Sequence, residues 1–158
     1  MNQDTEPKEN TSVEPDLFPP GSRACFIFTL DKGLTEKLVA IFESQGYYTA
    51  TTDSPGQGVA KLRLNKYDVA VVQHKNDTSS LLEEINAWPG IIRRSMNLIA
   101  IGDEAPSMHQ SQALVLGANF YLNLRDTDNL EELIMQCLRG YQLYYHPWHK
   151  VLEEMDDK

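Results

Sequence analysis

Apolar residues alternate along this chain between strand-length runs and helical stripes. Ala24 to Leu30 (ACFIFTL) is an unbroken apolar run. Tyr47 to Thr52 is rich in β-branched and aromatic residues, and Val69 to Val72, Leu98 to Ile101 and Asn119 to Leu122 are short apolar runs. These read as five strands. Between them apolar positions recur at helical spacing. Leu34, Leu38, Val39, Ile41 and Phe42 share a stripe over 33–45, which Gly46 ends; Val59, Ala60 and Leu62 mark a helix over 55–64. Leu81, Leu82, Ile85 and Trp88 predict a third helix, stopped by Pro89-Gly90. A short fourth helix covers 106–116, with Pro106 suited to its first turn. A fifth runs from an Asp128 cap, with Glu131 three residues on, to about Tyr145, where Pro147 disfavours a simple continuation.

Strand and helix thus alternate five times, with no internal repeat. Nearly continuous apolar strands separated by helices predict a parallel sheet covered on both faces. Right-handed crossovers give a doubly wound α/β fold with strand order 2-1-3-4-5. The functional crevice of such a sheet lies at the C-terminal ends of strands one, three and four. Those ends carry Thr29-Leu30-Asp31, Gln73-His74 and Gly102-Asp103. The glutamine at the end of strand three is the informative residue: it can neither bind a hard metal as a carboxylate does nor accept a phosphoryl group.

Composition narrows the class. The chain has 158 residues, enough for one domain with a full core. Residues 1–22 are polar, acidic and proline-containing, which predicts a disordered arm before a domain at 23–145; residues 146–158 are expected to form a charged tail. A net charge of −9 argues against direct nucleic-acid binding and against anionic membranes. No apolar run reaches membrane-spanning length, and the opening MNQDTEPKEN lacks a signal pattern. Cys25 and Cys137 sit in apolar patterns and read as reduced core thiols, so a cytoplasmic protein is expected.

From Ala24 to about Tyr141 the chain resembles the receiver domain of two-component response regulators. GYYTATTDSPGQGVAKLRLNKYDVAVV is similar to that family's second strand, second helix and third strand, and GANFYL to its Gly-Ala-x-x-Tyr-Leu entry to strand five. The resemblance implies phosphoryl transfer to an aspartate after strand three, beside an acid pair that holds Mg²⁺. It also implies a Thr or Ser after strand four and a Lys after strand five. Carried over by spacing, the phosphoacceptor position is Gln73, the acid-pair positions are Thr29 and Leu30 with Asp31 beside them, the hydroxyl position is Gly102 and the lysine position is Leu124. Every one departs from the pattern. Mg²⁺ requires hard oxygen ligands, so no metal site and no cofactor are expected. A buried lysine stripped of its acid partners would be costly, and Leu124 removes it.

The expectation is therefore a degenerate receiver that is not an enzyme and works by protein–protein contact in a bacterial signalling or regulatory system. The alternatives are a small-molecule sensor using the remodelled crevice, or the regulatory partner of a transcription regulator acting in another chain. Receivers commonly dimerise through the fourth helix, fifth strand and fifth helix. The candidate face here comprises Met108, Val115, Asn123 and Met135; Tyr141, Tyr144, Tyr145 and Trp148 beyond it either cover the domain's own core or extend the contact, and a homodimer is one outcome. Other chemistry finds little support. His74 lacks an evident acid partner, Asp31 is expected to be a solvated loop acid or a cap for the following helix, and His146 and His149 supply at most half a zinc site. Gly33 and Thr35 fit a flavin phosphate loop, but Leu30 and Lys32 supply no hydroxyls. The chain has no Walker loop, no Gly-x-Ser-x-Gly and no metalloprotease helix motif.

Overall fold

A computed structural model describes residues 15–75 and 79–156, apart from the side chains of Ser79, Trp148 and His149. The predicted arm at 1–14 and the Trp148 side chain therefore lie outside the described residues. Five parallel strands form one sheet in the order β2-β1-β3-β4-β5. They are β1 (Arg23–Phe28), β2 (Tyr47–Thr51), β3 (Val69–Gln73), β4 (Asn97–Gly102) and β5 (Phe120–Asn123). The helices are α1 (Lys32–Ser44), α2 (Pro55–Leu64), α3 (Ser79–Asn86), α4 (Gly90–Arg93), α5 (Gln110–Leu116) and α6 (Leu130–Asp156). Register places Ile27 beside Val71 and Val71 beside Ile99, so one row of side chains crosses the centre of the sheet.

Strand alternation sorts the core into two layers. Cys25, Ile27, Val71, Ile99 and Leu122 face one side and pack with Leu38 and Phe42 of α1 and with Ile134 and Cys137 of α6. Phe26, Ala70, Val72 and Leu98 face the other and pack with Leu81 and Ile85 of α3. Each fully buried Leu, Ile or Phe contributes about 1.5–3 kcal/mol. Burial on both faces, rather than β-propensity, is why these runs lack polar alternation. The buried Cys25 and Cys137 are free thiols, as their apolar setting predicts. Gly117 ends α5 at φ 69°, a conformation that glycine adopts without Cβ strain.

Four local expectations are corrected. The arm predicted through residue 22 is anchored at its inner end. Asp16 pairs with Lys61 at 2.9 Å and accepts a 2.6 Å hydrogen bond from Tyr67, and Phe18 packs against Tyr48 and Tyr67. Pro89-Gly90 does not merely stop α3; with Pro89 in the capping position it starts the extra turn α4. Residues 106–109 precede α5 rather than belonging to it, and His109 caps it, Nδ1 accepting from Gln112 N–H at 3.1 Å. Asp128 lies inside a 3-10 turn at Thr127–Asn129 instead of capping α6.

The largest difference concerns Pro147. α6 continues through it as a 27-residue helix, so the boundary expected after 145 falls inside one element. A proline removes one helical N–H and crowds the carbonyl four residues back, here Leu143. Both Leu143 and Pro147 are exposed, so water can satisfy that carbonyl. The helix runs on at a local cost instead of ending.

Candidate functional site

The crevice lies where β1, β3 and β4 end, because β1 sends its chain to one side of the sheet and β3 to the other. Gln73 closes β3 and is buried. Its Oε1 accepts a 2.7 Å hydrogen bond from Leu30 N–H, so the carboxamide splices the β1–α1 loop to the end of β3. The Thr29 hydroxyl lies 2.7 Å from the Thr35 hydroxyl and donates to the Asp31 carbonyl at 2.8 Å. Asp31, the one carboxylate beside Thr29 and Leu30, turns away: Oδ1 accepts from Leu34 N–H at 3.0 Å and caps α1, one of the two roles expected of it. Leu30 is half exposed.

The other wall is built around Tyr121. This side chain of β5 is fully buried, and its hydroxyl accepts from Glu104 N–H at 3.0 Å. Burial pushes its hydroxyl pKa up, against the opposing pull of backbone hydrogen bonds from Glu104 and Ala105. A Cβ built on Gly102 would stand 2.5 Å from that hydroxyl oxygen. Gly102 is therefore the residue that leaves room for Tyr121. Leu124 donates its N–H to the Gly102 carbonyl at 2.9 Å, while its side chain packs against the α1–α6 core layer.

The six positions singled out in sequence thus converge on one crevice, and in it they serve packing and backbone hydrogen bonding. No group of three or more His, Cys, Asp or Glu residues able to hold a metal occurs among the described residues. His74 does have an acid neighbour that the sequence reading missed: its Nδ1 lies 3.6 Å from Glu104 Oε1, beyond hydrogen-bond length. Glu104 in turn accepts from Gln112 Nε2 at 2.9 Å. No local spacing signals this pair, since it depends on β3 and β4 ending side by side. Asp103 is an exposed loop acid. A second opening of about 720 Å³ adjoins the crevice, lined by Thr29, Lys32, Thr35, Thr52 and Asp53 among others.

The candidate contact face divides. Val115 is 78% exposed, as the amphipathic frame of α5 predicts, and Ala113 faces inward. Leu114, 81% exposed, lies beside Val115 and is a further apolar residue on this face. Tyr144 is 84% exposed and Tyr145 partly covered. Tyr141, in contrast, is buried, and its hydroxyl donates to the Arg94 carbonyl, so it covers the domain's own core rather than offering a contact. Met108 and Met135 are half-buried against the core, and Asn123 Nδ2 donates to the Ala105 carbonyl at 2.8 Å. Between α5, β5 and α6 runs a groove of about 420 Å³ whose lining includes Met108, Ala113, Phe120, Gly140 and Tyr145. Gly140 keeps it open over Phe120: a Cβ there would come within 2.9 Å of the ring.

Comparison with solved structures places this architecture. The chain is similar to the receiver domain of Francisella response regulator 1452, with 20% identity, a TM-score of 0.59, and coverage of 77% of this chain and 98% of that one. It is similar to HP1043, an orphan response regulator of H. pylori, at 21% identity and TM-score 0.58 over 76% of this chain and 99% of that one. The chemotaxis response regulator CheY4 of Vibrio cholerae matches at 10% identity and TM-score 0.61, covering 76% of this chain and 98% of that chain. No protein-family model and no curated protein matches the chain.

Proposed function

We propose that this chain, which has the strand order and surrounding helices of the CheY-like receiver fold, is a phosphorylation-independent interaction module: a receiver whose switch chemistry has been replaced by fixed structural contacts. The observation that carries this reading is the use of Gln73. At the position where the resemblance implies a phosphorylatable aspartate, a carboxamide instead holds Leu30 N–H at 2.7 Å. A carboxamide cannot form an acyl phosphate, and the neighbouring Thr29 and Leu30 offer Mg²⁺ no carboxylate. What the domain then offers a partner is its surface, and the apolar face of Leu114, Val115 and Tyr144 around the α5–α6 groove is the place we assign to that contact. The arrangement supports a non-catalytic role in signalling or regulation, exerted by a constitutively presented face.

Incubation with acetyl phosphate and Mg²⁺, read by intact mass, tests the reading. We expect no mass increase. A stable covalent phosphate overturns it. The opening lined by Thr29, Lys32, Thr35 and Asp53 favours a second reading, in which the crevice takes a small polar molecule. A metabolite screen by thermal shift separates the two, because a ligand bound only by the folded state raises the melting temperature.

A further inference from the structure

α6 is longer than the domain needs. Its 27 residues span about 40 Å, whereas the longest strands, of six residues, span about 20 Å. Along α6 the spacing three, four, three, four, three runs from Leu138 through Tyr141, Tyr145, Trp148 and Leu152 to Met155. This is the a/d repeat of a helix that packs against another helix along its length. The domain covers the first part of the seam: Leu138 and Tyr141 are buried. Further along, the cover falls away: Leu152 is partly covered, Met155 is 66% exposed and Val151, flanking the seam, is also exposed.

We infer that this overhanging half of α6 pairs with the same segment of a second copy, in antiparallel orientation. The inference goes beyond the proposed function, and of the four positions it pairs (145, 148, 152 and 155) only Tyr145 also lines the α5–α6 groove. Opposite helix directions match each a layer with a d layer. In a register centred on Lys150, Tyr145 stands against Met155 of the second copy and position 148 against its Leu152. Charge selects the orientation. The last turn carries Glu153, Glu154 and Asp156. Parallel pairing sets these acids beside their own copies. Antiparallel pairing carries them back toward the domain of the second copy, where Arg94 is exposed and lies beside the Tyr141 turn, its carbonyl accepting from the Tyr141 hydroxyl. The same turn α4 exposes Ile91 and Ile92, which extend the apolar contact beyond the four-layer seam. Pro147 falls at an outward position, clear of the seam.

Light scattering across a protein concentration series reads the result. We expect a monomer–dimer equilibrium that Leu152→Glu and Met155→Glu each weaken by roughly a hundredfold or more, since two buried apolar side chains are lost per dimer. Circular dichroism confirms that each variant is folded. In the antiparallel register Val151 approaches its own copy near the two-fold axis, so Val151→Cys forms a disulfide-linked dimer on oxidation. The native Cys25 and Cys137 are buried and add little background. Leu114→Arg and Val115→Arg leave this dimer intact, which separates its failure from failure of the groove assignment. A monomer at all concentrations overturns the inference. So does a dimer unchanged by Leu152→Glu, or one that cross-links through Leu152→Cys and not through Val151→Cys.

Discussion

Gly102→Ala, a one-methyl change, is expected to be among the more damaging substitutions in this domain. The added Cβ would stand 2.5 Å from the Tyr121 hydroxyl oxygen, closer than real Cβ contacts allow. Backbone conformation is not the obstacle, because Gly102 is not among the glycines with positive φ. The ring of Tyr121 is fully buried and bounded by Ala100 and Ala113, so it cannot swing aside. To relieve the contact, the hydroxyl must withdraw and lengthen its 3.0 Å hydrogen bond from Glu104 N–H. Overpacking of this kind costs about 1–3 kcal/mol and the weakened hydrogen bond about 1 more, giving about 2–4 kcal/mol in all. Tyr121→Phe alone should cost about 1 kcal/mol. In the double variant the offending oxygen is absent and the next ring atom lies 3.3 Å from the Cβ, a tight but adjustable contact. Gly102→Ala should therefore be nearly neutral in the Tyr121→Phe background, a coupling of about 2–4 kcal/mol by urea denaturation at constant m-value. Additive losses would refute the reasoning. If the coupling holds, a hydroxyl side chain cannot be restored at position 102 without displacing Tyr121.

Three further outcomes are expected. Gln73→Asp should lose the bond to Leu30 N–H, destabilise the domain by about 1–2 kcal/mol in urea, and still gain no phosphate from acetyl phosphate and Mg²⁺, read by intact mass. Stability should fall as pH rises above about 9. Burial pushes the Cys137 thiol from 9.0 to about 12 and the Cys25 thiol well above 9.0, so the unfolded chain loses these protons first. Each thiol removes up to about 1.4 kcal/mol per pH unit in that window, and Cys137→Ala should flatten the slope of urea stability against pH. Asp16→Ala should cost about 1–2 kcal/mol, because the hydroxyl of the buried Tyr67 loses its acceptor, and should hasten proteolysis at 15–22; an unchanged melting temperature would show that the anchored segment contributes nothing to the fold.

How far the sequence could be read follows from the range of each interaction. Strands with both faces buried, such as Val69 to Val72, announce themselves locally, and with right-handed crossovers they leave little choice of strand order. The crevice positions Gln73, Gly102 and Leu124 were legible because a parallel sheet places strand ends at one edge. Their occupations were not. That Gln73 would reach Leu30, or Gly102 yield to Tyr121, depends on residues 43 and 19 positions apart in the chain. Asp16 was hidden for the same reason, its partners Lys61 and Tyr67 lying 45 and 51 residues away. Pro147 misled for a different reason. Its local cost is real, but it falls on an exposed face where solvent can reach the freed Leu143 carbonyl.

These long-range contacts bear on whether the domain can switch. A two-state element responds to a ligand only in proportion to the ligand's differential affinity for the two states. On the proposed reading no phosphoryl group enters the crevice, so that differential is absent. The contacts that remain fix one arrangement. Gln73 ties the β1–α1 loop to β3, and Thr29 ties it to Thr35 in α1. Tyr121 fills the space over Gly102 and holds Glu104 N–H. Each contributes only about 0.5–1.5 kcal/mol, but they act on the same crevice, and displacing one strains its neighbours. A domain held this way gains nothing from bistability and offers partners one surface. On that reading, regulation has to come from how much of that surface is free rather than from an event in the crevice.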